Sequence, residues 1–377
     1  MPRKIPLQMI AFIAFIVASA VASECVAETP STQSDLESHI AELAKPYVAK
    51  RDHCRLTIGV FQDGQRYVAS FGADQPPDAK TPDENLVYEI GSITKVFTSI
   101  LLAQCEQDGL LKLDDPISEH LPKDFTVSPE VGAITFKQLA THTSGLPRLP
   151  NNLIATWIDP YAKYGADDLQ ECLRTLKPNY PPGEKQAYSN LGVALLGYLL
   201  AEKKGESFDS LVRSTICEPL GMPDTTTQLS DAQNARLVAG HAPNGTVASN
   251  WNFDVMAPAG ALRSTVHDLL VFSEANVDGK DGPLRKALDR SQESHYRTKT
   301  ENTGLGWQIL NDPASGLTIH WHNGGTGGYH SFLGTVKSKQ LGVVLITNYG
   351  DDFAGDSSID RMGFEILRAA AVGSAEQ

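Results

Sequence analysis

LTIHWHNGGTGGYHSFLGTVKSKQLGVVLITN, residues 317–348, is the stretch that decides the fold. It holds three short β-prone runs, Leu317 to His322, His330 to Val336 and Leu341 to Asn348, separated by tight turns, and a fourth run, Gly306 to Leu310, precedes them. Strands this close in sequence predict antiparallel pairing. The other end of the chain carries a matching signal. Arg55 to Phe71 alternates around Asp63-Gly64, a dipeptide favoured in two-residue hairpins because both positions take positive φ. Between these ends, from about Leu111 to Thr300, the pattern is helical pieces broken by Pro and Gly loops, including Leu191 to Lys204 and Phe208 to Cys217. Helices are also predicted at Asp35 to about Lys50, at Ser92 to Gln107 with Gly109 as a stop, and at Ser358 to Val372. The expectation is an α/β fold: a mainly antiparallel sheet built from both chain ends and flanked by helices, plus an all-helical insertion. The α/β part is expected over about 31–110 and 301–372 and the helical part over about 111–300, within one domain, 28–377.

Composition narrows the function. With 41% hydrophobic and 20% charged residues the chain is globular. A formal charge of −13, with no Lys/Arg-rich block, repels a phosphate backbone and argues against nucleic acid as a partner. At the N-terminus Arg3 and Lys4 precede an apolar stretch from about Leu7 to Val21 and small residues up to Ala27. That stretch is shorter than the roughly 20 residues of a bilayer span and reads as a cleaved signal over 1–27, so a periplasmic or secreted protein without a stable membrane span is expected. Glu24 before Cys25 is a poor match to lipoprotein processing. Cleavage leaves Cys54, Cys105, Cys172 and Cys217, which permits two disulfides in an oxidising compartment. Cys105, inside a predicted helix, reads as a buried, inert thiol.

Three short motifs carry chemistry: Ser92-Ile93-Thr94-Lys95, Tyr188-Ser189-Asn190 and His322-Asn323-Gly324. Ser92 follows Gly91 at the start of a helix, where backbone N–H groups are unsatisfied, and Lys95 falls one turn on, on the same face. Lys95 can assist deprotonation of Ser92 either as a neutral amine or as a fixed positive charge. Read alone, Ser-x-x-Lys equally describes a helix cap beside a solvated lysine. Tyr188 lies between Pro181-Pro182-Gly183 and the helix from Leu191, where its phenol can enter a cleft and nearby cations could lower its pKa from about 10. The bland alternative is a packed Tyr beside an Asn cap. Asn190 offers a donor and an acceptor to substrate or to Lys95. In the strand-like His320-Trp321-His322 both histidines share a face, yet no further ligand completes a metal set, so no metal or cofactor is implied. Gly324 to Gly328 joins two strands, which suits close approach of an extended substrate, with the Gly325 N–H offered to an oxyanion, better than it suits a phosphate.

With these motifs in order, the sequence resembles the class C β-lactamase and penicillin-recognising serine hydrolase family, which also includes D-Ala-D-Ala carboxypeptidases, D-aminopeptidases and some esterases. Supporting segments match too: Tyr88-Glu-Ile-Gly-Ser-Ile-Thr-Lys95, Thr141-His-Thr-Ser-Gly-Leu-Pro147, Glu218-Pro-Leu-Gly-Met222 and Ala261-Leu-Arg-Ser-Thr265. The resemblance implies Ser92 as acylated nucleophile, Lys95 as its activator and Tyr188 as general base and acid. It implies Asn190, His322, Asn323 and Gly324 as substrate-binding residues, and the N–H groups of Ser92 and Gly325 as the oxyanion hole. Which group is the acylation base is disputed for Ser-x-x-Lys enzymes and stays open here. Two departures stand out. His322 replaces the Lys usual in the third motif, so carboxylate binding becomes weak or pH-dependent around the ordinary His pKa of about 6.5. Leu149 replaces a Gln that holds the acylamide side chain in class C enzymes.

The function these readings imply is an exported serine hydrolase working through an acyl-Ser92 intermediate, on a small-molecule or peptide substrate: a β-lactam, a D-amino-acid peptide or an ester. β-Lactamase-type amide hydrolysis leads. The alternatives are a D-Ala-D-Ala carboxypeptidase or D-aminopeptidase, then an esterase, and, in another class, a penicillin-binding sensor that acylates without turning over.

Overall fold

The computed structural model describes residues 33–72, 81–154, 158–278, 281–350 and 358–373. The signal expected over 1–27, with Cys25, lies outside the described residues. Eight strands form one antiparallel sheet: β1 (Arg55–Gln62), β2 (Gln65–Gly72), β5 (Tyr296–Arg297), β6 (Asn302–Thr303), β7 (Gln308–Asn311), β8 (Thr318–Gly325), β9 (His330–Val336) and β10 (Leu341–Thr347), while β3 (Tyr88–Glu89) and β4 (Arg263–Ser264) pair separately. The order across the sheet is β2-β1-β10-β9-β8-β7-β6-β5. The N-terminal hairpin thus joins the C-terminal meander at β1 and β10, with Leu56 opposite Thr347 and Ile58 opposite Leu345. The sheet is built from both chain ends, as the sequence predicts. Asp63 and Gly64 turn the first hairpin with φ of 49° and 80°.

The central strands bury both faces, and side-chain alternation sorts their residues into two cores. Val343 and Leu345 join Ile58, Ile40 of the helix Gln33–Val48, and Ile366 and Leu367 of the helix Ile359–Gly373. Val344 and Ile346 face the larger core, with Phe97 of the helix Thr94–Gln107 and Leu270 of the helix Val266–Asp278. That core continues into helical layers around Asn190–Lys204, a helix capped by Ser189, whose hydroxyl accepts from the Gly192 N–H, and ended by Gly205 at φ 69°.

Local outcomes differ from expectation where packing intervenes. The helix expected from Ser92 begins at Thr94, after a 3₁₀ turn over Gly91–Ile93. Phe208 to Cys217 divides into an α-helix, Phe208–Val212, and a π turn, Arg213–Cys217. The disulfides that the cysteine count permits do not form: Cys54, Cys105, Cys172 and Cys217 are buried and not bonded to one another. Burial pushes the Cys105 thiol up to about 11, consistent with an inert group.

Candidate active site

The turn bearing Ser92 is held from three directions. The Ile90 N–H donates to the Leu262 carbonyl (3.0 Å), and the Leu262 N–H donates to the Thr94 hydroxyl (3.1 Å), which itself donates to the Gly91 carbonyl (2.7 Å). The paired β3 and β4, residues 88–89 and 263–264, are thus what fixes Ser92, and both come from segments quoted for the family resemblance. β8 closes the third side. A Cβ on Gly324 would lie 2.0 Å from the Ile90 carbonyl oxygen, and one on Gly91, at φ +50°, would lie 2.7 Å from the Gly325 nitrogen. Only glycine at both positions lets the strand edge reach the turn and bring the Gly325 nitrogen against Gly91, the residue before Ser92.

Lys95 projects back from the first helical turn to place Nζ 2.8 Å from Ser92 Oγ, while also donating to the Ala259 carbonyl (2.5 Å). The side chain is fully buried. Burial, reinforced by the positive charge of Arg148, holds its pKa well below the ordinary lysine value. The spacing argument is met in three dimensions: i and i+3 bring amine and hydroxyl together. A solvated lysine is excluded.

Tyr188 is ringed by nitrogen groups. Lys95 Nζ and the Arg148 guanidinium stand 4.9 and 5.1 Å from its ring centre, and the His142 and His322 rings are centred 4.4 and 6.2 Å away. The expected fall in its pKa does not occur. Burial pushes the phenol up to about 12, outweighing the opposite pull of a hydrogen bond with Ser92 and of the Arg148 charge. Desolvation of the phenolate exceeds what a cation at this range returns. Asn190 opens its helix with its N–H on the Arg148 carbonyl (2.9 Å), and its side chain hydrogen-bonds Tyr161. Its Oδ1 is buried without a partner, and Lys95 bonds Ser92 and Ala259 instead of this amide.

On β8, His322 faces Tyr188, while Asn323 turns to the opposite face and donates from Nδ2 to Asp360 (2.6 Å). Asn323 meets the site through its carbonyl, 2.6 Å from His322 Nδ1. Burial and the nearby Lys95 charge lower the His322 pKa to about 4, so the ordinary titration near 6.5 expected from the sequence is replaced by a ring that stays neutral at neutral pH. Trp321, as alternation requires, packs on the other face against Phe332 and Phe364. Among the described residues, the side chains that gather with metal-ligand chemistry are Asp115, Glu119 and His120, and neither His320 nor His322 is in that group. Lys203 Nζ lies 2.9 Å from His120 Nδ1, an unfavourable neighbour for a cation.

Two residues that sequence reasoning passed over stand in the same cleft. His142, at φ 60°, is buried against Tyr188; its Nδ1 accepts from the Ser189 N–H (3.2 Å) and its Nε2 has no partner. Arg148 follows Leu146-Pro147. The signal was present in both cases, a ring-bearing residue inside a quoted motif and a cation next to one, but neither showed what it would face.

The family model described as Beta-lactamase matches residues 40–362. A β-lactamase of Pseudomonas fluorescens is 25% identical over 346 residues, covering 84% of this chain and 94% of its own. A D-alanyl-D-alanine-carboxypeptidase/endopeptidase, AmpH, of Escherichia coli (strain K12) is 27% identical over 355 residues, covering 89% and 90%. Among solved structures, a β-lactamase/D-alanine carboxypeptidase from Pseudomonas syringae superposes with a TM-score of 0.76 at 20% identity, covering 91% of this chain and 99% of that one. A class C β-lactamase from Rhodobacter sphaeroides gives 0.73 at 20% identity, covering 89% and 98%. At such identities these structures establish a shared fold: an antiparallel sheet flanked by helices.

Proposed function

This chain belongs to the Beta-lactamase family and is a serine hydrolase, and from that premise we propose that it opens an amide through an acyl-Ser92 intermediate, with β-lactams as the leading substrate class. One observation carries the reading: Lys95 Nζ lies 2.8 Å from Ser92 Oγ, where burial holds the amine's pKa well below the ordinary lysine value. A neutral amine at that distance accepts the Ser92 proton as Oγ attacks the carbonyl carbon. The Ser92 and Gly325 N–H groups receive the oxyanion. Tyr188, protonated because its pKa is raised, returns a proton to the leaving nitrogen instead of serving as a standing base. Water then attacks the acyl-enzyme and the same groups act in reverse. Asn190, with Oδ1 unsatisfied, accepts from a substrate N–H.

A second reading, D-Ala-D-Ala carboxypeptidase, is favoured by the likeness to AmpH. The N-terminal reading adds export to the periplasm or medium.

Side-by-side turnover of nitrocefin, a D-Ala-D-Ala peptide and a short-chain p-nitrophenyl ester ranks the substrates, and intact mass after rapid quenching locates the adduct. Ser92→Ala is expected to lose the adduct and at least about 10³-fold in turnover, with stability changed by about 1 kcal/mol or less. An adduct that persists on another residue overturns the reading.

A further inference from the structure

Arg148 is a half-buried cation beside Tyr188 with no carboxylate paired to it among the described residues. Its carbonyl accepts from the N–H groups of Asn190 (2.9 Å) and Leu191 (3.3 Å), and the neighbouring Pro147 carbonyl accepts from the Ser189 hydroxyl (2.7 Å). The residue is therefore fastened by its backbone to the start of the helix that follows Tyr188. From there the guanidinium carbon stands 5.1 Å from the centre of the Tyr188 ring. A guanidinium forms its strongest hydrogen bonds with a carboxylate. Among the described residues, none lies within the 4.0 Å of an ion pair with Arg148.

The acids of this region are engaged elsewhere. Asp159 accepts from the backbone and side-chain amides of Asn252, Glu89 from Trp251 N–H and Asn250, and Asp360 from Asn323. The Arg148 charge instead acts on Lys95, His142, Tyr161 and Tyr188, disfavouring the protonated or neutral acid form of each. A chain of net charge −13 thus keeps a fixed cation, Arg148, at its candidate site. His322, at the position of the third-motif lysine, adds no charge to this field at neutral pH.

We propose that Arg148 is the specificity residue that reads a substrate carboxylate, so that acyl donors carrying a free carboxylate over Tyr188 are preferred to neutral ones. The planar guanidinium suits this task, because it binds a carboxylate through two parallel N–H donors and does not lose its charge. Anion recognition then sits on the loop after Leu146-Pro147 and not on β8. This deepens the acyl-serine reading above and rests on it.

The test uses matched pairs: benzylpenicillin with its methyl ester, and an N-acyl-D-Ala-D-Ala with its C-terminal amide. Acylation of Ser92, followed by quenched intact mass, is the common readout beside turnover. Arg148→Gln is expected to reduce kcat/KM, or the acylation rate constant, at least about 10-fold more for the acid than for the neutral partner, equivalent to about 1.4 kcal/mol. The loss should fall mainly in KM, and Arg148→Lys should lose less. An equal loss on both partners would mean that Arg148 only tunes Lys95 and Tyr188, and it overturns the proposal, as does no loss. If neither variant folds, the wild type decides. Its KM for the acid must rise with added salt while that of the neutral partner does not, and a shared response counts against Arg148. Absence of any adduct in the wild type, with acid or neutral compounds alike, is the distinct signature of a failed acyl-serine reading, and the proposal fails with it.

Discussion

The Ser92 turn and the end of β8 meet across a gap that glycine alone can bridge, yet they bring opposite kinds of equipment. In the proposed mechanism Gly91 to Lys95 contributes side chains: a hydroxyl and a buried amine 2.8 Å apart. In the same proposal His322 to Gly325 contributes backbone, the Gly325 N–H, while His322 is neutral and Asn323 turns away to Asp360. A 3₁₀ turn running into a helix places Ser92 and Lys95 by local geometry, since i and i+3 share a face. A strand edge contributes only what its neighbours allow, so its role depends on which surface it is pressed against.

The comparison breaks most visibly at Lys95. Lys95→Met removes the amine and keeps the volume, so kcat/KM is expected to fall by about 10³-fold or more if the side chains of this turn hold the chemistry. Thermal unfolding should show a stability change within about 2 kcal/mol, because relief from burying an amine offsets the lost bonds to Ser92 and Ala259. A variant with near-normal turnover would move the proton transfer to Tyr188.

The strand half is tested by shape. In Gly324→Ala the new methyl meets the Ile90 carbonyl at 2.0 Å, and backbone must shift. About 10²-fold in turnover and about 1–3 kcal/mol of stability should be lost, although no side-chain chemistry is removed. Unchanged kinetics would show that the Gly325 N–H does not depend on this contact.

The smallest effect is the pH response of His322. Its folded-state pKa of about 4 lies below the ordinary value of about 6.5. Protonation therefore favours the unfolded chain: the stability this ring contributes is complete above about 6.5 and is lost as pH falls through about 4. Denaturant melts of wild type and His322→Gln should diverge in that window and run parallel above it. By the same logic KM for a carboxylate substrate should show no step near pH 6.5 from this residue, and a step that His322→Gln abolishes would restore the charged-histidine reading.

Much of the molecule was legible in the sequence because it rests on local rules. Asp63-Gly64 specifies its hairpin turn through backbone conformation, the runs in 317–348 specify strands through alternation and β-branching, and Ser92-x-x-Lys95 specifies a side-chain pair through helical pitch. What the sequence could not determine shares one property: each depends on the sum of neighbours distant along the chain. The pKa of Tyr188 rises where nearby cations alone would lower it, because desolvation is set by all the atoms that displace water. His322 is neutral for the same reason, and the four described cysteines stay apart because packing assigned each its own place in the core. Arg148 and His142 lay in plain view beside recognised motifs, but only the tertiary structure decided what they face: the loop after Pro147 is bonded to the start of the helix after Tyr188, and that one junction brings both to the same ring.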